Sequence, residues 1–131
     1  MRMHRKDNLD ARLAACADIM TAADLTEKNM KKAAELKDYI NFAQVFKNDN
    51  PVHLEIGCGK GGFVTGMAKL HPNTNFIAVE KVSNVIITAC ESAKAEGLKN
   101  VHFINCPAAV LPRDIPEGSI ERIYLNFSDP L

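Results

Sequence analysis

Hydrophobic and polar positions change their rhythm near residue 50. Before it, DARLAACADIM and EKNMKKAAELKDYINFAQVF carry apolar residues at three- and four-residue spacing, the period of a helix with one buried side. The second stretch predicts a single buried stripe of Leu36, Ile40, Ala43 and Val45 or Phe46. KNDNP interrupts the pattern, because a proline disfavours helix at the residue before it and lacks a backbone donor, so a new unit begins at Pro51. Beyond it, short apolar runs rich in β-branched residues alternate with helical stretches. VHLEI, FIAVE, VHFIN and IYLNF read as strands; VTGMAKL and the segment from Asn84 to about Glu96 read as helices, with Gly97 as a stop. Strands separated by helices predict an α/β fold with a parallel sheet covered on both faces. The expected organisation is a basic, helical arm over residues 1–50 and a Rossmann-like unit over 51–131, its parallel sheet incomplete at about four strands.

Size and charge narrow the possibilities. At 131 residues the chain fits one small domain that buries roughly two-thirds of its unfolded surface. Hydrophobic residues make up 47% and charged residues 24%, which is too apolar for a disordered chain. Sixteen cations balance sixteen anions, so whole-chain charge gives no argument for nucleic acid or membrane, and any such argument must be local. Cys16, Cys58, Cys90 and Cys106 form no C-x-x-C pair, which predicts neither a zinc site nor a disulfide framework. No run of about 18 apolar residues is present, and MRMHRKDNLD leads into no apolar signal core; the expectation is a cytoplasmic protein with no membrane association.

The candidate chemistry sits in HLEIGCGKGGF, where Gly57, Gly59, Gly61 and Gly62 directly follow a predicted strand. A glycine loop between a strand's carboxyl end and a helix lets backbone approach a ligand closely. Gly57-x-Gly59-x-x-Gly62 also satisfies the dinucleotide fingerprint, which alone is weak. Glu55 discriminates further. A carboxylate at the lip of the loop repels a pyrophosphate and attracts an ammonium, so a ligand with an amino acid end, such as S-adenosylmethionine, suits the loop better than a dinucleotide. Glu80, at the end of the next strand, is placed to accept hydrogen bonds from both hydroxyls of a ribose, which supports nucleoside binding in general.

HLEIGCGKGGF, KNDNP, FIAVEK and above all IYLNFSDP resemble the bacterial tRNA (guanine-N7-)-methyltransferases, which modify a guanine in the tRNA variable loop. The likeness extends from MRMHRK to the last residue. It implies the class I methyltransferase fold, with S-adenosyl-L-methionine lying across the carboxyl ends of the first strands and tRNA as substrate. It also implies that Glu55 with Gly57, Gly59 and Gly61 holds the methionine part and Glu80 the ribose, and that Asp129 of the SDP motif stands at the target guanine. The chain departs from the family in two places. An acid is usual near the adenine, whereas Asn105-Cys106-Pro107-Ala108 puts Pro107 there, which can only pack against the base. The family motif continues as D-P-W-P, whereas here the sequence stops at Pro130-Leu131.

Three functions remain open on the sequence: a tRNA guanine-N7 methyltransferase present as a fragment of weak or no activity, a nicotinamide-binding α/β domain, and a non-catalytic, partner-dependent relic. In the class I order the IYLNF strand lies beside the first strand of the sheet, and its other neighbour is missing. Residues 123–127 are therefore expected to form an open apolar edge and to support self-association, unless the arm covers it.

Overall fold

The computed structural model describes residues 5–22 and 29–126. Five strands, β1 (Met20–Ala22), β2 (Val52–Ile56), β3 (Asn75–Val79), β4 (Val101–Asn105) and β5 (Arg122–Leu125), form one sheet in the order β1-β4-β3-β2-β5. Every pairing is parallel. Aligned registers such as Leu54 with Ile77 and Ile123 bring the carboxyl ends of β2, β3 and β5 to one level.

Parallel strands need crossovers, and these put helices on both faces. Helices α1 (Leu9–Ala15), α4 (Gly62–Leu70) and α5 (Ser83–Ala95) enclose one core, in which Phe76, Ala78 and Phe103 of the sheet meet Ile86, Ile87 and Cys90. On the opposite face α2 (Met30–Glu35), α3 (Phe42–Phe46), a 3₁₀ turn (Ala108–Val110) and α6 (Leu111–Asp114) cover Leu54, Ile77, Val79 and Ile104. The alternation of Phe76, Ile77, Ala78 and Val79 between the two cores follows from the two-residue period of a strand. Gly97, with φ of 67°, stops α5: its N–H donates to Lys94 O at 3.0 Å and that of Leu98 to Ala93 O at 3.1 Å.

Two sequence expectations are corrected by the fold. The sheet has five strands among the described residues, not about four, because Met20–Ala22 extends along β4 instead of continuing the helix of DARLAACADIM. Ile19 O accepts from Phe103 N at 2.8 Å, so the free edge of β4 supplies the backbone partners that draw this short segment out of helix. The arm therefore contributes a strand to the sheet, at the edge opposite β5. The second correction concerns the stripe of Leu36, Ile40, Ala43 and Val45 or Phe46. The helix breaks after Glu35 and restarts at Phe42, where the Asn41 side chain accepts from Gln44 N. Between them Asp38 N donates to Arg113 O and Ile40 N to Asp114 O, each at 2.8 Å, tying the break to α6. Phe46 is buried, but Leu36 is 54% exposed and Ala43 is exposed as well.

Candidate functional site

The site forms where β2, β3 and β4 end. Gly57 and Cys58 both donate their N–H to Val79 O, at 2.8 and 2.9 Å, which folds the glycine loop over the end of β3. Gly57, Gly59 and Gly61 have φ of 84°, 55° and 89°, conformations that residues with a Cβ adopt at a cost. Gly61 then caps α4, whose first turn carries no acid.

Glu55 closes the β2 side. It is 2% exposed; Oε2 accepts from Asn126 Nδ2 at 2.8 Å, and Oε1 is enclosed with no partner among the described residues. Burial raises its pKa above the usual carboxylate range, and the Asn126 hydrogen bond opposes that rise. Glu80 lies on the β3 side of the same loop. Its Oε1 accepts from Gly59 N at 3.3 Å and its Oε2 from Val82 N at 2.9 Å, so the side chain braces the loop against the start of α5. Each oxygen keeps a second lone pair for a further donor.

Cys58 sits between these acids. Burial, then the charges of Glu55 and Glu80, push its thiol up, which keeps it protonated and rules it out as a nucleophile near neutral pH. Two further residues brace this end of the sheet without having been assigned a site role in the sequence. Asn105 donates from Nδ2 to Glu80 O at 3.0 Å and to Lys81 O at 3.3 Å, while its Oδ1 accepts from Ser83 Oγ at 2.8 Å, holding the β3 end and α5 together. Asn126 partners Glu55. Both lie in stretches that the sequence singled out, Asn105 in Asn105-Cys106-Pro107-Ala108 and Asn126 in IYLNFSDP, but neither was given a role there.

The structure thus brings Glu55, Gly57, Gly59, Gly61 and Glu80 to the carboxyl ends of β2 and β3. Pro107 follows β4 in an extended conformation, φ −65° and ψ 145°, at the entry to the 3₁₀ turn, with no N–H to offer. Asp129 lies outside the described residues. Two surface grooves lie elsewhere, one beside Leu54, Ile120 and Ile123, the other beside Phe46, Lys94 and His102. Neither includes a residue of the glycine loop.

A parallel α/β sheet with a glycine loop after β2 and acids at the ends of β2 and β3 defines a class I methyltransferase-like fold. Residues 49–131 match the family described as "Putative methyltransferase", and the chain belongs to that family. Within it the chain is similar to tRNA (guanine-N(7)-)-methyltransferases. That of Bacillus velezensis is 42% identical over 99% of this chain and 55% of its own length. That of Bacillus subtilis is 41% identical over 99% of this chain and 56% of its own length. The chain spans about half the length of these curated relatives. A solved structure from Methanococcus maripaludis, described as a "putative S-adenosyl-L-methionine-dependent methyltransferase", shares the fold with a TM-score of 0.52 at 14% identity, over 98% of this chain and 54% of that one.

Proposed function

We propose that this chain carries the cofactor-binding part of an S-adenosyl-L-methionine-dependent methyltransferase acting at N7 of a guanine in tRNA. The observation that carries this is Glu55: a buried carboxylate at the lip of a glycine loop, with one oxygen lacking a donor among the described residues. An enclosed acceptor without a partner costs roughly 1–3 kcal/mol, and a ligand ammonium that reaches it recovers that loss. The residues present fit the cofactor. Glu55 would take the ammonium, the backbone of Gly57, Gly59 and Gly61 would line the methionine part, and the free lone pairs of Glu80 would take the ribose hydroxyls. Pro107 would pack against the adenine face. A dinucleotide fits poorly, because its pyrophosphate would face the Glu55 carboxylate.

When bound, S-adenosylmethionine supplies an electrophilic methyl group on a sulfonium. Neutral guanine has a lone pair and no proton at N7, so the protein has to align the base and exclude water, with no general base required. Asp129 is proposed to hold the guanine by accepting from its donors and to favour the positive charge that develops on the ring. Such an enzyme works in the cytoplasm, where tRNA is; among the described residues no helix is long and apolar enough to cross a membrane. We also propose self-association through the edge of β5, where Ile123 and Leu125 are 56% and 61% exposed and β5 has no outer neighbour among the described residues; Phe127, the last residue of the expected edge, lies outside the described residues.

Tritiated S-adenosylmethionine and unmodified tRNA test the function. The 131-residue chain alone is expected to retain the labelled cofactor and to leave the tRNA unlabelled, since the relatives that grip tRNA are nearly twice as long. Efficient labelling at guanine N7 would show that this chain already holds the whole activity. Labelling at another atom would overturn the assignment of the target.

A further inference from the structure

We propose that Asn126 is a positioning residue of the cofactor site, holding the Glu55 carboxylate in the orientation that receives a ligand's ammonium group; this rests on the S-adenosylmethionine reading above. Asn126 is the first residue past β5. Its backbone N–H donates to Ile56 O at 3.1 Å, which extends the β5–β2 ladder by one step. Glu55 is in register with Tyr124, so Asn126, two residues further on, projects from the same face of the sheet as Glu55. Its Nδ2 reaches Glu55 Oε2 at 2.8 Å. This is the one hydrogen bond that the Glu55 carboxylate accepts among the described residues.

The geometry divides the carboxylate into two differently used oxygens. Oε2 is fixed by an amide donor whose backbone is itself held in the sheet, and Oε1 has no partner among the described residues. An asparagine has two side-chain torsions, so the donor is delivered with little rotational freedom. Burial favours the neutral acid at Glu55, and the Asn126 donor favours the ionised form that an ammonium needs. The other ionisable groups around this carboxylate are Cys58 and Glu80 at the loop, His53 two residues back on β2, and Tyr124 beside it on β5. Among the described residues none of these donates a hydrogen bond to the carboxylate, which leaves Asn126 as its partner. A strictly structural asparagine at a strand end would have no reason to discriminate between parts of the ligand, whereas a residue acting through Glu55 affects the amino acid end alone.

That difference is measurable by titrating wild type, Asn126→Ala and Asn126→Asp with S-adenosylhomocysteine and with 5′-methylthioadenosine, which lacks the amino acid end. Asn126→Ala should weaken adenosylhomocysteine roughly tenfold and leave methylthioadenosine unchanged. Asn126→Asp, equal in shape but with a second carboxylate in place of the donor, should weaken the first ligand further. Without ligand, a carbon-13 titration of the Glu55 carboxyl should show its midpoint moving up in Asn126→Ala. Equal weakening of both ligands, unchanged adenosylhomocysteine affinity, or an unmoved Glu55 midpoint would overturn the role of Asn126 while the cofactor reading stands. A wild-type chain that binds neither ligand would overturn the cofactor reading, and this role with it.

Discussion

Gly61 stands directly against Ala89: a Cβ placed on Gly61 would lie 2.7 Å from the Ala89 Cβ and 3.0 Å from its Cα. The glycine therefore does two things at once. Its φ of 89° turns the loop into α4, and its missing side chain lets α4 and α5 approach. Gly61→Ala should destabilise the fold by about 2–4 kcal/mol, combining left-handed strain with overpacking, and should weaken cofactor binding by displacing the loop. Denaturant unfolding checks the first effect. A variant as stable as wild type would mean that the helices part without cost.

His102 should make the protein acid-sensitive. It is buried at 5% exposure, its Nε2 is 2.8 Å from Thr21 Oγ1, and burial pushes its pKa down to about 4 from 6.5. The unfolded chain therefore binds a proton at a higher pH than the folded one. Stability is complete above pH 6.5 and falls as the pH drops towards 4, by at most about 3 kcal/mol at about 1.4 kcal/mol per pH unit. Urea titrations of wild type and His102→Gln across this window check it: the variant's curve should be shallower, and parallel curves would contradict the assignment.

Glu55 acts with the opposite sign in the ligand-free protein. Its folded pKa is raised, so ionisation destabilises the folded state as the pH rises through and above the unfolded carboxylate value. Ligand-free Glu55→Gln should gain stability relative to wild type on going from acid to neutral pH. Thermal melts at a series of pH values measure that difference, and a difference that stays flat or shrinks as the pH rises would show that the folded pKa is not raised.

The β5 edge should drive association. Leu125→Lys places a charge on an edge that now exposes Ile123 and Leu125. Sedimentation velocity should show wild type associating at tens of micromolar and the variant less so. A compact wild-type monomer would show the edge to be protected.

How much of this was visible in the sequence depended on the range of the cause. β2, β3, β4 and β5 were legible because a run of four or five apolar, β-branched residues bounded by turns has few other uses, and the glycine loop because positive φ selects glycine. β1 was not, since Met20–Ala22 is too short to carry its own period and becomes a strand only when β4 offers an edge. The break between α2 and α3 likewise depends on carbonyls of α6, more than 70 residues away in the chain. At the site, the acids were legible as residue types near the loop. That Glu80 also braces Gly59, 21 residues back, and that Asn126 holds Glu55 from 71 residues away, are contacts only the assembled sheet creates.

The central claim is that the acid at the lip of the glycine loop selects a ligand with an amino acid end. Isothermal titration of the wild-type chain and Glu55→Gln with S-adenosylmethionine, and of wild type with NAD, tests it most directly. Wild type should bind S-adenosylmethionine more tightly than NAD, and Glu55→Gln, equal in shape but uncharged, should lose roughly 1.5–3 kcal/mol of that affinity. Tighter binding of NAD by wild type, or an undiminished affinity for S-adenosylmethionine in Glu55→Gln, would contradict it.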